Sequence, residues 1–473
     1  MTNVRYVCLS DLHLGEEDSL LTDSADYSRP SPVLLRLAEC LAEIVRRNEP
    51  RAPKPSLILA GDVLELALCP SQQAFTAFEQ FLRSVMPPNS GIFGEIVYIP
   101  GNHDHHMWTA AREAQYLNYL GRFAAGQPLE APWDTTKVMM DLAGKDRLVN
   151  DMLTALARRI PHLRDGGFEI LTAYPNFGVL DSSGRAVVFH HGHFIEPVCR
   201  FFSTLASLFF PEQGLPEDVY TLEKENSSWI DFFWSSLGSC GRIGGDVETI
   251  YEATADERNL RRLTDTLAHS IACKYAVPAW APRFLREWAL KAALHEAAGS
   301  VSAGLERRQT EGGAPLSPAA ATGLRWYLEG PLRRQLAQEC GRTPESMVFV
   351  LGHTHKPSVD CWDRTRILNT GGWVVDAPQA QPLHGAAAVL IGEDLSAINV
   401  RWYNEGFYEV RVEEPVLAGA QHSALYDEIN SLLTARPQPW KSFGETTRTE
   451  VELRAANFAN RLKRKAAATR AGH

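Results

Sequence analysis

The sequence is dominated by short apolar runs that end abruptly in acidic and histidine side chains. Five such runs end in polar segments, which are Asp11–His13, Gly61–Asp62, Gly101–Asp104, His190–His193 and Gly352–His355. The runs are rich in valine, isoleucine and leucine, which is typical of buried strands. Because ligands bind in the crevice outside the carboxyl ends of the strands of an open α/β sheet, we expect these polar segments to lie close together.

The first hundred residues alternate between strand and helix patterns. Strand patterns at 4–9, 56–60 and 96–99 are separated by apolar residues at helical spacing over 31–47 and 71–85. This order predicts a parallel sheet with right-handed crossovers. Further strand patterns occur at 168–171, 177–180, 185–189, 347–351, 366–373, 386–391 and 397–403.

Residues 197–345 contain helical patterns and few strand signals. At 473 residues the chain can hold two or three domains, or one core with large insertions. We predict a core formed by 1–196 and 346–412, a mostly helical insertion or cap at 197–345, and a C-terminal helical extension at 413–473. Two aromatic-rich stretches, 201–210 and 229–234, predict a helical sub-core; the alternative is a cap surface that accepts an apolar or lipid-linked substrate.

Composition narrows the classes of function. The net charge of −10 argues against a whole-surface nucleic-acid binder, so no DNA partner is expected. Eight cysteines without a CxxC pair suggest neither a thiolate zinc site nor a disulfide framework. The basic run Arg461–Lys465 predicts a solvated helix end or a frayed tail.

The N-terminus lacks the pattern of a signal peptide, and no segment reaches ~20 uninterrupted apolar residues. We therefore expect a cytoplasmic protein without a transmembrane segment. Peripheral membrane contact and the oligomeric state stay open.

The polar segments have the chemistry of metal ligands. Asp11 and His13 are two residues apart, as are His353 and His355, so that on an extended chain each pair would point the same way and bind one ion. Asp62 is the candidate to bridge two cations, although Gly-Asp before an apolar run is also a common helix cap. Carboxylate, amide and imidazole donors suit Mn²⁺, Fe or Zn²⁺.

The motifs D-x-H, GD, GNH(D/E), H and G-H-x-H occur in this order, and together they strongly resemble the calcineurin-like metallophosphoesterase superfamily. The resemblance implies a four-layer αββα sandwich that holds two metal ions, with Mn²⁺ favoured. One metal would be held by Asp11, His13, Asp62 and His355, and the second by Asp62, Asn102, His191 and His353. The fourth motif offers His190, His191 or His193, and we choose His191 because the family pattern places the ligand directly before a glycine.

The charge of two bound cations suggests a mechanism for hydrolysis of a phosphate ester. Two cations ~3.5–4 Å apart can hold a bridging hydroxide as nucleophile and neutralise the phosphoryl oxygens. His103 is the expected general acid for the leaving group, with Asp104 raising its basicity and fixing its tautomer.

We therefore predict a metal-dependent phosphoesterase that acts on a phosphodiester or pyrophosphate of a nucleotide or a lipid-linked small molecule. The alternatives are a phosphomonoesterase or protein phosphatase, and a catalytically silent metal-binding scaffold. The DLHLG and HG motifs look most like the branch that contains UDP-2,3-diacylglucosamine hydrolases. Those enzymes usually have an aspartate where this chain has His193.

Overall fold

The structure is a computed structural model that describes residues 2–209, 212, 214–236, 314–416 and 421–471. The chain divides into two compact units, one formed by Met1–Gly192 with Pro344–His473 and the other by His193–Thr343. The glycine-containing stretch 241–245, in which the sequence indicates no phosphate-binding loop, lies outside the described residues.

The first unit contains two sheets. Its strands are β1 (Val4–Leu9), β2 (Ser56–Ala60), β3 (Glu95–Ile99), β4 (Ile170–Thr172), β5 (Asn176–Leu180), β6 (Arg185–His190), β7 (Ser346–Leu351), β8 (Ser358–Trp362), β9 (Thr365–Asn369), β10 (Gly385–Gly392), β11 (Ala397–Asn404) and β12 (Arg411–Glu413). A seven-stranded sheet has the order β12-β11-β10-β1-β2-β3-β4, and a five-stranded sheet the order β5-β6-β7-β9-β8. Strands β1 to β4 are parallel neighbours, as the alternation of strand and helix patterns predicts.

Helices of this unit connect the strands and follow them. They are α1 (Pro32–Arg46), α2 (Ser71–Val85), α3 (His106–Leu120), α4 (Asp151–Ala157), α5 (Pro161–Asp165), α10 (Ala424–Ala435) and α11 (Trp440–Ala471), where α6 to α9 belong to the second unit. Ser31 caps α1, since its hydroxyl accepts a hydrogen bond from the Leu34 amide.

The described part of the second unit is helical. It contains α6 (Phe201–Phe209), α7 (Val219–Ile230), α8 (Pro318–Tyr327) and α9 (Arg333–Cys340), together with short 3₁₀ turns at His193–Ile195 and Pro197–Arg200 and π-helical turns at Asp231–Ser236 and Leu328–Leu332. The expected largely helical region is therefore present. Among the residues described, no helix is long and apolar enough to cross a membrane.

The two faces of the larger sheet bury different partners, because side chains alternate along each strand. Tyr6 and Cys8 of β1 face the smaller sheet and pack in one apolar cluster with Val187 and Phe189 of β6. Their neighbours on β1, such as Val7, belong to a second cluster that includes apolar residues of α1 and α2. Two facing sheets with helices on an outer face confirm the expected α/β sandwich class.

The structure departs from the sequence expectation beyond β7. The predicted strand at 366–373 ends at Asn369, because the Asn369 side-chain oxygen accepts a hydrogen bond from the Gly371 amide at 2.8 Å and starts a turn. Strand β8 was not predicted from the pattern, since its residues are half-buried or exposed and show no clear alternation.

The C-terminal basic run is part of α11, and its first arginine is engaged. Arg461 forms ion pairs with Glu17, at 2.6 Å, and with Asp18. Two helical turns earlier, the buried Arg454 donates to the Thr22 carbonyl at 2.7 Å and to the Ser24 hydroxyl at 2.6 Å. Helix α11 therefore anchors the loop that follows the first polar segment.

We expect replacement of Arg454 by methionine to destabilise the fold. The change keeps the apolar stem but removes both hydrogen bonds, and bonds of this kind from a charged group contribute about 1.5–3 kcal/mol each. Urea unfolding followed by tryptophan fluorescence would measure a lower free energy of unfolding. The matched control is Arg464→Met, on the exposed side of the same helix; an equal effect of both changes would contradict the anchoring role.

Candidate metal centre

Five of the predicted metal ligands have a left-handed backbone. The φ angles are 51° at Asp11, 44° at His13, 48° at Asp62, 69° at His353 and 56° at His355. They are five of the eight non-glycine residues with positive φ among the described residues. This conformation costs roughly 1–2 kcal/mol for an L residue. Clusters of such residues mark sites where the fold enforces a functional geometry.

Glycines allow the loops to approach one another closely. A Cβ atom added to Gly61 would lie 2.4 Å from the His191 ring, and one added to Gly101 would lie 2.3 Å from Asp62 Oδ1. At Gly352 the same atom would lie 2.1 Å from Asp11 Oδ2. The glycine in three of the polar segments is therefore required by the packing of another segment.

Three possible metal-ligand atoms surround the Nε2 atom of His191. Its Nε2 atom lies 3.0 Å from Asn102 Oδ1, 3.1 Å from Asp62 Oδ2 and 3.2 Å from His353 Nδ1. Its other ring nitrogen, Nδ1, is 3.1 Å from the Ala60 carbonyl oxygen, to which it donates. A hydrogen bond of this kind fixes the tautomer and leaves Nε2 available as a ligand.

A second group consists of Asp11, His13 and His355, whose donor atoms lie within 4.8 Å of one another. His355 Nε2 is 3.5 Å from Asp11 Oδ1. His13 donates from Nδ1 to Glu65 at 2.8 Å, and its buried Nε2 has no hydrogen-bond partner. A buried, unpaired ring nitrogen is costly unless a further group binds it.

His353 and His355 belong to different groups, contrary to the expectation that they point the same way. That expectation assumed an extended chain. Both residues instead have left-handed φ angles. Their ring nitrogens lie in different groups.

Asp62 belongs to the group around His191 and also lies near His13 of the other group. Its Oδ2 atom is 3.1 Å from His191 Nε2 and 3.9 Å from His13 Nε2, while Oδ1 accepts from the His103 amide at 2.8 Å. Burial would raise the pKa of this carboxyl, but His191, His103 and His13 hold it well below its usual range. The buried carboxylate is thus charged and faces both groups with one oxygen.

Glu65, which the sequence reasoning missed, is the carboxylate that contacts His103. The His103 Nδ1 atom lies 3.1 Å from Glu65 Oε1 and 2.9 Å from Oε2. Burial lowers the pKa of His103, but Glu65 and Asp62 outweigh it and raise that pKa to about 9. His13 donates to the same carboxylate, so one buried glutamate orients two of the predicted site histidines. The sequence signal was its position, three residues after Asp62.

The prediction that Asp104 holds His103 is corrected by its contacts. The Asp104 carboxylate accepts from the backbone amides of Asp62, Val63, Leu64 and Gly101 at 3.2, 2.8, 3.1 and 2.6 Å, and from the Tyr98 hydroxyl. These donors take up both carboxylate oxygens. Asp104 therefore fixes the loop that carries Asp62 and leaves the His103 ring to Glu65.

The three histidines of the fourth segment have different surroundings. His191 lies among the donor atoms described above. His190 is buried on β6, with its ring stacked against Phe349 at 6.0 Å between centroids, and burial lowers its pKa well below the usual value. His193 is also buried and begins the second unit. These placements favour His191, and the assignment of ligands stays a prediction.

The residues present fit a pair of divalent cations. Donor atoms ~2.0–2.2 Å from one ion lie roughly 3–3.5 Å apart, which is the range found around His191. Two further observations fit a pair of cations. The buried Nε2 of His13 has no hydrogen-bond partner, and the Asp62 carboxylate faces both groups. No thiolate takes part, so the donor set does not select a soft metal.

Comparison with protein families agrees with this chemistry. The family model described as calcineurin-like phosphoesterase matches residues 4–357. Among solved structures, the phosphopantetheinyl hydrolase from Mycobacterium tuberculosis is similar at 14% identity, covering 78% of this chain and 90% of its own, with a TM-score of 0.26. No curated protein has a matching sequence.

We expect Glu65→Gln to slow turnover and weaken metal binding. The change removes the charge that both His13 and His103 contact, and such supporting contacts typically contribute 10–100-fold in affinity or activity. Metal titration by calorimetry and steady-state kinetics would measure the two effects.

The matched control is Glu16→Gln. Glu16 lies 3.5 Å from His13 Nδ1, farther than the 2.8 Å of Glu65, so its amide should disturb the His13 ring less. Equal losses in both variants would contradict a specific role for Glu65.

Proposed function

Because the chain belongs to the calcineurin-like phosphoesterase family, we propose that it hydrolyses a phosphodiester or pyrophosphate of a nucleotide or lipid-linked small molecule. Metal-dependent hydrolysis of phosphate esters is the coarser activity that the family match and the clusters of histidine and carboxylate groups support. The observation that carries the proposal is Asp62, whose single oxygen faces both donor groups.

The proposed ligand sets are those of the sequence analysis. Asp11, His13, Asp62 and His355 would hold one ion, and Asp62, Asn102, His191 and His353 the other. When bound, two divalent cations supply positive charge against the phosphoryl oxygens and activate water for in-line attack. Mn²⁺ is the proposed metal, with Fe and Zn²⁺ as alternatives that the same donors accept.

His103 is proposed to protonate the leaving group. Its amide donates to Asp62 Oδ1, which keeps its loop beside the donor groups, and its ring contacts Glu65. Glu65 and Asp62 raise the pKa of His103 to about 9, and this negative surrounding supports a proton on the ring. Glu65 accepts from Nδ1, and Nε2 is the atom proposed to deliver the proton.

The three candidate functions, which are diesterase, monoesterase and scaffold, predict different activities. A diesterase acts faster on a diester than on the matching monoester, whereas a phosphomonoesterase or protein phosphatase does the reverse. A silent scaffold would bind metal and hydrolyse neither. The complete set of donors around Asp62, together with an oriented histidine, favours an enzyme over a scaffold.

We expect chelator-treated protein to be inactive and added Mn²⁺ to restore hydrolysis of bis-p-nitrophenyl phosphate. Release of p-nitrophenol measures the rate, and p-nitrophenyl phosphate is the matched monoester. A higher kcat/KM for the diester supports the proposal. A faster monoester would favour the monoesterase, and tight Mn²⁺ binding without turnover of either ester would favour the scaffold.

His103→Ala should reduce turnover most for esters with poor leaving groups, because only these need a proton in the transition state. The expected loss is roughly 10²–10⁴-fold for a phenyl ester and smaller for a p-nitrophenyl ester. Metal content measured by mass spectrometry should not change. His106→Ala, an exposed neighbour, is the control. Full activity of His103→Ala on the phenyl ester would exclude the role.

A further inference from the structure

Arg200 is a buried cation in the second unit. It ends the 3₁₀ turn Pro197–Arg200 and is 9% exposed. Removing a guanidinium from water costs several kcal/mol unless an anion and hydrogen bonds compensate, so buried arginines are normally paired.

The described residues provide little compensation. The only hydrogen bond of the guanidinium to them runs from Nη2 to the Ile195 carbonyl at 3.4 Å, and Nε has no hydrogen-bond partner. No carboxylate of the described residues forms an ion pair with it. Burial lowers the pKa of Arg200 to about 10, offset in part by Cys199 and Glu196, so the group stays charged at neutral pH.

The surroundings hold the guanidinium in place. Its Cζ atom lies 4.5 Å from the centre of the Trp326 ring on α8, a cation–π contact. Gly323, one turn earlier on the same face, allows α8 to approach closely: a Cβ atom there would lie 1.9 Å from the Ile195 oxygen and 3.2 Å from Nη2. The Trp326 ring and the close backbone of α8 at Gly323 together restrict the fork to one orientation.

A planar, oriented fork of N–H donors that makes only one long hydrogen bond matches the oxygens of a phosphate group. We propose that Arg200, supported by Trp326, forms a binding site for a phosphate-type oxyanion within the unit His193–Thr343. The anion is either a phosphate group carried by an organic molecule or free inorganic phosphate. This site does not depend on the proposed diesterase activity, because anion binding can be measured without metal or turnover.

The binding test uses full-length protein treated with chelator and probed with inorganic phosphate. Phosphate should raise the melting temperature of the wild-type protein by a few degrees, because it binds only the folded state. In Arg200→Met this rise should disappear. Arg325→Met, an exposed arginine on α8, should keep it. An unchanged rise in Arg200→Met, or no rise in the wild-type protein, would overturn the proposal.

Stability without phosphate distinguishes this site from a structural contact. Removing an uncompensated buried charge should leave the melting temperature of Arg200→Met equal to or above that of the wild type. If the methionine variant fails to fold, Arg200→Lys retains the charge without the fork. About tenfold weaker phosphate binding is then expected, and wild-type affinity would overturn the proposal.

Binding to the chelator-treated protein separates the two sources of the anion. Glycerol 3-phosphate and inorganic phosphate present the same kind of oxyanion and differ in the organic group. If the ligand is a phosphate group carried by an organic molecule, glycerol 3-phosphate should bind at least as tightly as inorganic phosphate. If free phosphate is the ligand, glycerol 3-phosphate should bind much more weakly.

Discussion

The crowding of several loops around the Asp62 carboxylate is the constraint on which the centre depends. One oxygen of Asp62 accepts from the His103 amide, and the other faces both His191 and His13. The Asp62 backbone is left-handed, and its carbonyl accepts from the His13 amide at 2.9 Å. A side chain at Gly101 would collide with this carboxylate. Each neighbouring loop is therefore shaped by contact with Asp62.

This arrangement is strained, and the rest of the first unit stabilises it. Left-handed residues and buried carboxylates raise the free energy of the folded chain. The compensation lies in the apolar clusters on both faces of the larger sheet and in the amides that donate to Asp104. Helix α11 adds a further anchor through Arg454. The strain is confined to strand ends, where breaking the ladder of backbone hydrogen bonds costs least.

The strands and the polar segments could be predicted because both signals are local. Alternating or continuous apolar runs identified β1 to β3, and the residues that follow them identified the donors. The partner of the His103 ring lies far from it in the sequence. Asp104 was adjacent in sequence, but the loop turns it back onto the amides of 62–64, while Glu65 reaches the ring from another strand end. The spacing of His353 and His355 suggested a common direction for a similar reason, since no pattern in one sequence reveals a left-handed residue other than glycine. Only the resemblance to the family separated the two histidines.

Two buried arginines differ in their hydrogen bonds, and this difference distinguishes a structural role from a binding role. Arg454 is 2% exposed and makes two hydrogen bonds shorter than 2.8 Å, so its burial is compensated within the fold. Arg200 is buried to a similar degree but makes a single bond of 3.4 Å. The desolvation cost of the two groups is comparable, but the described residues compensate only that of Arg454. A fold that keeps the second cation buried loses stability by doing so, and an anion that binds there would restore it.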